Sequence, residues 1–211
     1  MQDSVVTLAF VFFLLASTAV KFWLSTRQMR HVTEHREQVP AAFADSVTAD
    51  AHRRAADYTV AKGRFGLLTM AFGAATLLGW TLLGGLDALN ATFRDALLST
   101  WGGLGYQVAL LAAFTLLSGL IELPFEWYST FRIEQSFGFN RMTLRLWLVD
   151  LLKNALVGAI VGLPLAAAIL WIMGATGSLW WLWAWGTWVG FNLLLLVIYP
   201  TVIAPLFNKF E

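Results

Sequence analysis

The sequence predicts an all-α polytopic membrane protein with about five transmembrane helices, an N-terminus outside and additional cytoplasmic amphipathic helices. Three observations lead there. Of 211 residues, 58% are hydrophobic and 13% charged, about half the charged share of a soluble domain, which is roughly 25%. Five segments supply the about 20 apolar residues that a helix needs to cross the hydrocarbon. Lysine and arginine gather in alternate connections, the asymmetry that sets topology.

The spans are expected over residues 5–24, 65–86, 104–123, 155–174 and 178–199 within a single region, 1–211. In the first, the only charge is Lys21 near the end, where its stem can snorkel. The leader Met1-Gln2-Asp3-Ser4 has an acid where a cleaved signal has Lys or Arg, so the segment reads as an anchor. The second is free of charge. Gly102, Gly103 and Gly105 precede the third and should end a short helix before it. An uncharged stretch over 154–208 is too long for one crossing, and Gly174-Ala175-Thr176-Gly177-Ser178 divides it into a tight hairpin.

Arg27, Arg30, Arg36, Arg53, Arg54, Lys62 and Arg64 fall between spans one and two, and Arg132, Arg141, Arg145 and Lys153 between three and four; Lys209 follows span five. Only Arg94 falls on the other side. The positive-inside rule then places the N-terminus outside and Glu211 in the cytoplasm. Trp180, Trp181, Trp183, Trp185 and Trp188, with Trp171 nearby, fit an outer-interface belt. Gly158 and Gly162, and Gly186 and Gly190, have GxxxG spacing, which predicts close backbone packing in the hairpin.

Composition also excludes function classes. A net charge of +1 argues against a nucleic-acid partner. With no cysteine, disulfides, thiolate zinc sites and cysteine nucleophiles are excluded. All three histidines, His31, His35 and His52, lie in one polar stretch, so none can serve chemistry inside the membrane. His31-Val32-Thr33-Glu34-His35 spells H-x-x-E-H, the inverted zinc-peptidase pattern. Its charge-rich surroundings, the approach of Pro40 and the want of a third protein ligand favour a solvated surface instead.

Residues 49–64 read as a helix leading into span two, with Arg53, Arg54, Lys62 and Arg64 against anionic headgroups. Glu122 and Glu126 are the strongest intramembrane signal: four residues apart, they share a helical face, with Pro124 between them able to kink it. They suit either ion pairs with Arg132, Arg141 or Arg145, or the wall of a cavity. Gly138 can take positive φ, and Asn140 is suited to cap the next helix. In that helix Leu144, Leu148, Leu151 and Leu152 form an apolar stripe expected to lie on the cytoplasmic surface before span four. The whole segment 122–140, with carboxylates, arginines and aromatics in close order, reads as built to meet a partner outside this chain.

Leu123-Pro124-Phe125, Tyr128-Ser129-Thr130-Phe131, Ile133-Glu134, Gly138-Phe139-Asn140 and Thr143 resemble the signature of the type I CAAX prenyl protease family, integral-membrane zinc metallopeptidases. A second block is Ile198-Tyr199-Pro200 with Ile203-Ala204-Pro205-Leu206-Phe207-Asn208. Weaker likeness runs through Val39-Pro40, Phe43 and Ala55-Ala56-Asp57-Tyr58, so the resemblance covers essentially the whole chain. It implies a helical membrane barrel around a water-filled chamber, with a zinc site that hydrolyses peptide bonds. An H-E-x-x-H helix would supply two zinc ligands and the general base. No H-E-x-x-H occurs here. The resemblance therefore implies the N-terminal membrane region of a larger peptidase, while the orientation pattern points to the cytoplasmic membrane and the lack of organelle signals to a bacterial source. Its partners would be a C-terminal zinc-bearing region of the same protein, peptide substrates and the bilayer.

On this reading the complete enzyme carries zinc, and the 211-residue stretch alone binds no catalytic zinc and cleaves nothing. No residue of it is catalytic or a metal ligand. Glu122, Pro124, Glu126, Tyr128, Phe131, Glu134, Gly138, Phe139, Asn140, Tyr199, Pro205 and Phe207 become candidates for the chamber wall or for contact between domains. A non-catalytic scaffold that binds partners is the alternative. A transporter is a weaker one, since it needs charges deep in several spans and only Glu122 approaches that.

Overall fold

Each apolar run becomes helix, and most helices continue well past the run that predicts them. The computed structural model describes residues 2–43 and 45–204. In it α1 is Gln2–Glu34, α2 Ala49–Thr81, α3 Gly85–Tyr128, α4 Leu144–Ala175 and α5 Trp180–Ile198. No strand occurs among the described residues. Single π-helical turns follow α3 at Ser129–Glu134 and α5 at Tyr199–Ile203. Four stretches are long and apolar enough to cross a membrane: Ser4–Glu34, Gly85–Glu134, Leu144–Ala175 and Gly177–Thr201. Among the described residues the buried ones are Ala56, Ile133 and Ile172 alone, and leucines, phenylalanines and tryptophans face outward along the helices. Hydrocarbon around the helices accounts for such a surface.

The chain divides into two compact units, Met1–Gly85 with Leu120–Arg141, and Leu86–Gly119 with Met142–Glu211. In the first, α1 and α2 pack as a pair. Each has 33 residues, about 50 Å at 1.5 Å per residue, against a hydrocarbon core of about 30 Å. Residues 25–34 and 49–64 therefore extend beyond the apolar runs as continuous helix. Thr48 caps α2, its hydroxyl accepting the Ala51 N–H at 3.2 Å, and Asp50 complements the dipole of the first turn. Gly63 allows the pair to close: a Cβ there would lie 2.6 Å from Met29 Sδ.

The second apolar run does not stay helical to residue 86. The N–H groups of Leu82 and Leu83 both turn back to the Leu78 carbonyl, at 2.8 and 3.0 Å. Gly84 then takes φ 80°, so α2 stops at Thr81 and α3 starts at Gly85.

In the second unit, Gly102 interrupts α3 with φ 69° and ψ −178°, a conformation open to glycine alone, where the glycine run predicts a break. The Tyr106 hydroxyl donates to Asn90 Oδ1 across that break. Three expectations about the following segment are corrected. Thr143, not Asn140, caps α4, its extended backbone aiming Oγ1 at the Leu146 N–H, 3.2 Å away. The surface helix expected before span four is not separate, because nothing breaks the ladder between Leu144 and Ala175. The GxxxG glycines do not seat a helix backbone: a Cβ on Gly158, Gly162, Gly186 or Gly190 would meet nothing within 4 Å. Gly158 and Gly162 instead line an apolar groove of about 580 Å³ between α4 and α5, with Trp188, Phe191 and Tyr199 opposite.

Candidate functional site

The motif segment 122–140 lies in the first unit, and what it meets there is α2. Tyr58, Lys62, Phe65 and Phe72 are spaced i, i+4, i+7 and i+14, so they share one face of that helix. Against this face come the end of α3, the π turn and the loop after it. The ring of Phe72 lies 4.5 Å from that of Phe125 and the ring of Phe65 stacks 5.0 Å from that of Tyr128. Further along, Tyr58 takes the edges of Phe137 and Phe139 at 5.3 and 4.8 Å. Such pairs contribute about 0.5–1.5 kcal/mol each beyond the area they bury.

Glu134 is the polar centre of the contact. Its Oε1 accepts from Lys62 Nζ at 2.9 Å, and the same ammonium donates to Ser129 Oγ at 3.4 Å. Lys62 also lies 5.8 Å from the centre of the Tyr58 ring. The hydrogen bond to Glu134 raises the Lys62 ammonium above its ordinary value of 10.5, outweighing the desolvation that acts the other way. The Glu134 backbone carbonyl is used as well. It accepts from the N–H groups of Phe139 at 2.9 Å and Asn140 at 3.3 Å, while Gly138 takes φ 77° to bring the chain round. Gly-Phe-Asn thus folds back on the residue whose side chain grips α2. Between these contacts Ile133 is buried.

The other candidate residues divide. Pro124 is accommodated inside α3. Glu122 and Glu126 are both exposed. Glu122 belongs to no ion pair among the described residues; Glu134 pairs with a cation from α2. Phe131 lies in the π turn with its ring 6.1 Å from that of Trp127. Tyr199, exposed at the start of the second π turn, lines the groove of the second unit. Pro205 and Phe207 lie outside the described residues.

Three of the four cations expected against headgroups also have carboxylate partners: Arg53 has Glu37 at 2.8 Å, Arg54 has Asp50 at 3.0 Å, and Lys62 has Glu134. Arg36 similarly reaches Asp57 at 2.9 Å. Lys62, Phe65 and Phe72 were not predicted as site residues, although their helical spacing and their place next to a polar-aromatic loop would have marked them.

Chemically this contact holds an ammonium paired with a carboxylate beside a wall of rings. Among the described residues the one group of three side chains able to hold a metal is His31, Glu34 and His35, all exposed at the end of α1. All three lie open to solvent, without the enclosing pocket that shields the metal-bound water of a catalytic zinc centre.

The family described as "CAAX prenyl protease N-terminal, five membrane helices" matches residues 28–209. A Schizosaccharomyces pombe protein named "Probable CAAX prenyl protease 1" is 30% identical over 210 residues, covering 94% of this chain and 44% of the relative. A Dictyostelium discoideum "CAAX prenyl protease 1 homolog" is 31% identical over 204 residues, covering 94% and 47%. In fold, the chain is similar to the crystal structure of S. mikatae Ste24p, with a TM-score of 0.86 at 24% identity over 94% of this chain and 47% of that one. It thus spans slightly under half the length of these proteins. Both sequence blocks singled out above fall in the matched region, with π turns at Ser129–Glu134 in the first and Tyr199–Ile203 in the second, and on the strength of that match the chain belongs to the CAAX prenyl protease N-terminal family of integral membrane proteins.

Proposed function

We propose that this chain is the N-terminal membrane scaffold of a zinc metalloendopeptidase, contributing to the wall of an intramembrane chamber. Hydrolysis of peptide bonds requires a further region bearing H-E-x-x-H. The observation that carries this reading is the contact of segment 122–140 with α2. Lys62, Glu134 and the ring pairs hold the family motif as a firm surface, and a surface of that kind suits the support of chemistry placed elsewhere. Its outward side keeps Glu122, Trp127 and Phe139 exposed, a polar-aromatic mixture suited to a protein partner. Zinc bound in that further region would acidify a water for attack on the peptide carbonyl.

The names of the relatives make a prenylated CAAX peptide the first substrate to test. The N-terminus is placed outside and segment 122–140 in the cytoplasm, from the distribution of positive residues. A bacterial cytoplasmic membrane is the proposed location, from the orientation pattern of the positive residues.

Assaying the 211-residue protein and a form extended through the downstream reading frame, both in detergent with a prenylated CAAX peptide, tests the reading. Cleavage by the extended form alone is expected. Cleavage by the 211-residue chain would overturn it, and a stop codon directly after Glu211 would favour the non-catalytic scaffold.

A further inference from the structure

The H-x-x-E-H cluster is distinct from the contact just described and from any H-E-x-x-H centre. We infer that His31, Glu34 and His35 form a surface site for a first-row divalent cation, zinc foremost, at the end of α1. Three features of the geometry lead there.

The ligand atoms are assembled but not closed. One from each side chain lies within 4.8 Å of the others. Tetrahedral zinc with bonds of about 2.0–2.1 Å places its ligands about 3.3 Å apart. The difference is within reach of rotamer changes, and all three side chains are exposed, so no packing opposes them. The His31 and His35 rings already lie 4.2 Å apart, centre to centre.

The tautomer of His35 is set for coordination. Its Nδ1 lies 2.9 Å from the His31 carbonyl oxygen. A carbonyl only accepts, so Nδ1 carries the proton and Nε2 presents its lone pair outward. A ring N–H given to a backbone carbonyl is the usual way in which a metal-binding imidazole is oriented. The carbonyl of His35 is fixed in turn from α2, where His52 Nε2 approaches it at 3.1 Å. His52 therefore steadies the site and lies outside the ligand set.

Glu34 is available as the third ligand. Its ion pair with Arg30 spans 3.8 Å between side chains that are 74% and 59% exposed, and an exposed pair of that length holds its carboxylate weakly. The sequence reading required a third protein ligand from elsewhere, with Glu34 as a base. The geometry makes Glu34 itself the third ligand and leaves the fourth position to water. Two imidazoles and a carboxylate suit zinc, nickel or copper far better than magnesium or calcium. A bound ion would tie the last turn of α1 to the residue that begins the connection to α2.

The purified 211-residue protein, stripped with chelator in detergent, is titrated calorimetrically with zinc chloride and separately with magnesium chloride. One equivalent of zinc binding, with no magnesium binding, is expected. His31→Ala and His35→Ala should each weaken zinc binding by at least about tenfold, Glu34→Gln should weaken it too, and Lys62→Met should leave it unchanged. Circular dichroism of each variant separates lost binding from lost folding. Failure to bind zinc at 100 times a micromolar-range dissociation constant (about 0.1 mM), or binding that survives the His31→Ala/His35→Ala double change, would overturn the site. Neither result depends on proteolysis, so the peptidase reading stands or falls apart from it.

Discussion

Gly63 in the first unit and the α4–α5 hairpin glycines in the second are used in opposite ways. In the first, Gly63 brings α2 so close to α1 that Met29 would have to move for any side chain placed there. In the second, the glycines of the α4–α5 hairpin face open space, and two of them line a groove of about 580 Å³. The polar groups differ likewise. The six ion pairs described all lie in the first unit, among α1, α2, the connection between them and the π turn. The hairpin between α4 and α5 is uncharged from Asn154 to Ile198. One unit is thus held by specific pairs that fix a motif in place, whereas the other keeps room between its helices. The same GxxxG spacing that closes membrane helices elsewhere here leaves a groove, because Trp188, Phe191 and Tyr199 stand opposite the glycines.

The largest effect expected from breaking this contrast is at Tyr58. Tyr58→Ala removes two ring contacts together, and a loss of about 2–3 kcal/mol in the local stability of residues 129–140 is expected. Hydrogen exchange followed by mass spectrometry should show faster exchange there and no change in α5. Gly138→Ala comes next. An L side chain at φ 77° costs about 1–2 kcal/mol, so limited proteolysis should open the chain between Gln135 and Thr143.

Smaller again is the ion pair. Lys62→Met and Glu134→Gln, whose side chains are 39% and 31% exposed, should each cost at most about 1 kcal/mol. Their double-mutant cycle should yield a favourable coupling that shrinks with salt. Because Lys62 titrates above 10.5 when folded, the contribution of the pair is fully present below that pH. It fades as the pH rises through the raised value, and unfolding titrations of wild type and Lys62→Met should converge there. Smallest is the glycine comparison itself. Gly158→Ala, with nothing near its Cβ, should gain up to about 1 kcal/mol from helix propensity. Gly63→Ala has the same propensity gain but displaces the Met29 side chain, so it should gain less. Thermal unfolding in one detergent measures both, and equal gains would erase the distinction between the two positions.

The helices and their order were legible because length and hydropathy decide what can cross a bilayer. So were the break at Gly102 and the positive φ of Gly138, since few residues other than glycine take such angles. The helix ends were less so. Thr143 displaced Asn140 as the cap, and Gly84 ended α2 before Leu86, because several nearby residues could serve and only tertiary placement selects one. The contact of segment 122–140 with α2 escaped the sequence for a related reason. Its counterpart on α2 is spread over four residues separated by as many as fourteen positions, a pattern that only a helix face reveals. Lys62 was assigned to headgroups because Glu134 lies 72 residues away in sequence. The packing expected at GxxxG failed because spacing fixes which residues share a face but not what stands across from it.

The central claim is that α2 of this same chain holds the motif segment. Having no cysteine, the protein allows a direct test: Tyr58→Cys and Phe139→Cys introduced together, treated in the membrane with a short bis-maleimide that spans the gap left by the two rings, and analysed by mass spectrometry after proteolysis. A cross-linked peptide pair, absent from either single variant, is predicted. Two cysteines that are modified singly and never cross-linked under the same treatment would contradict the account.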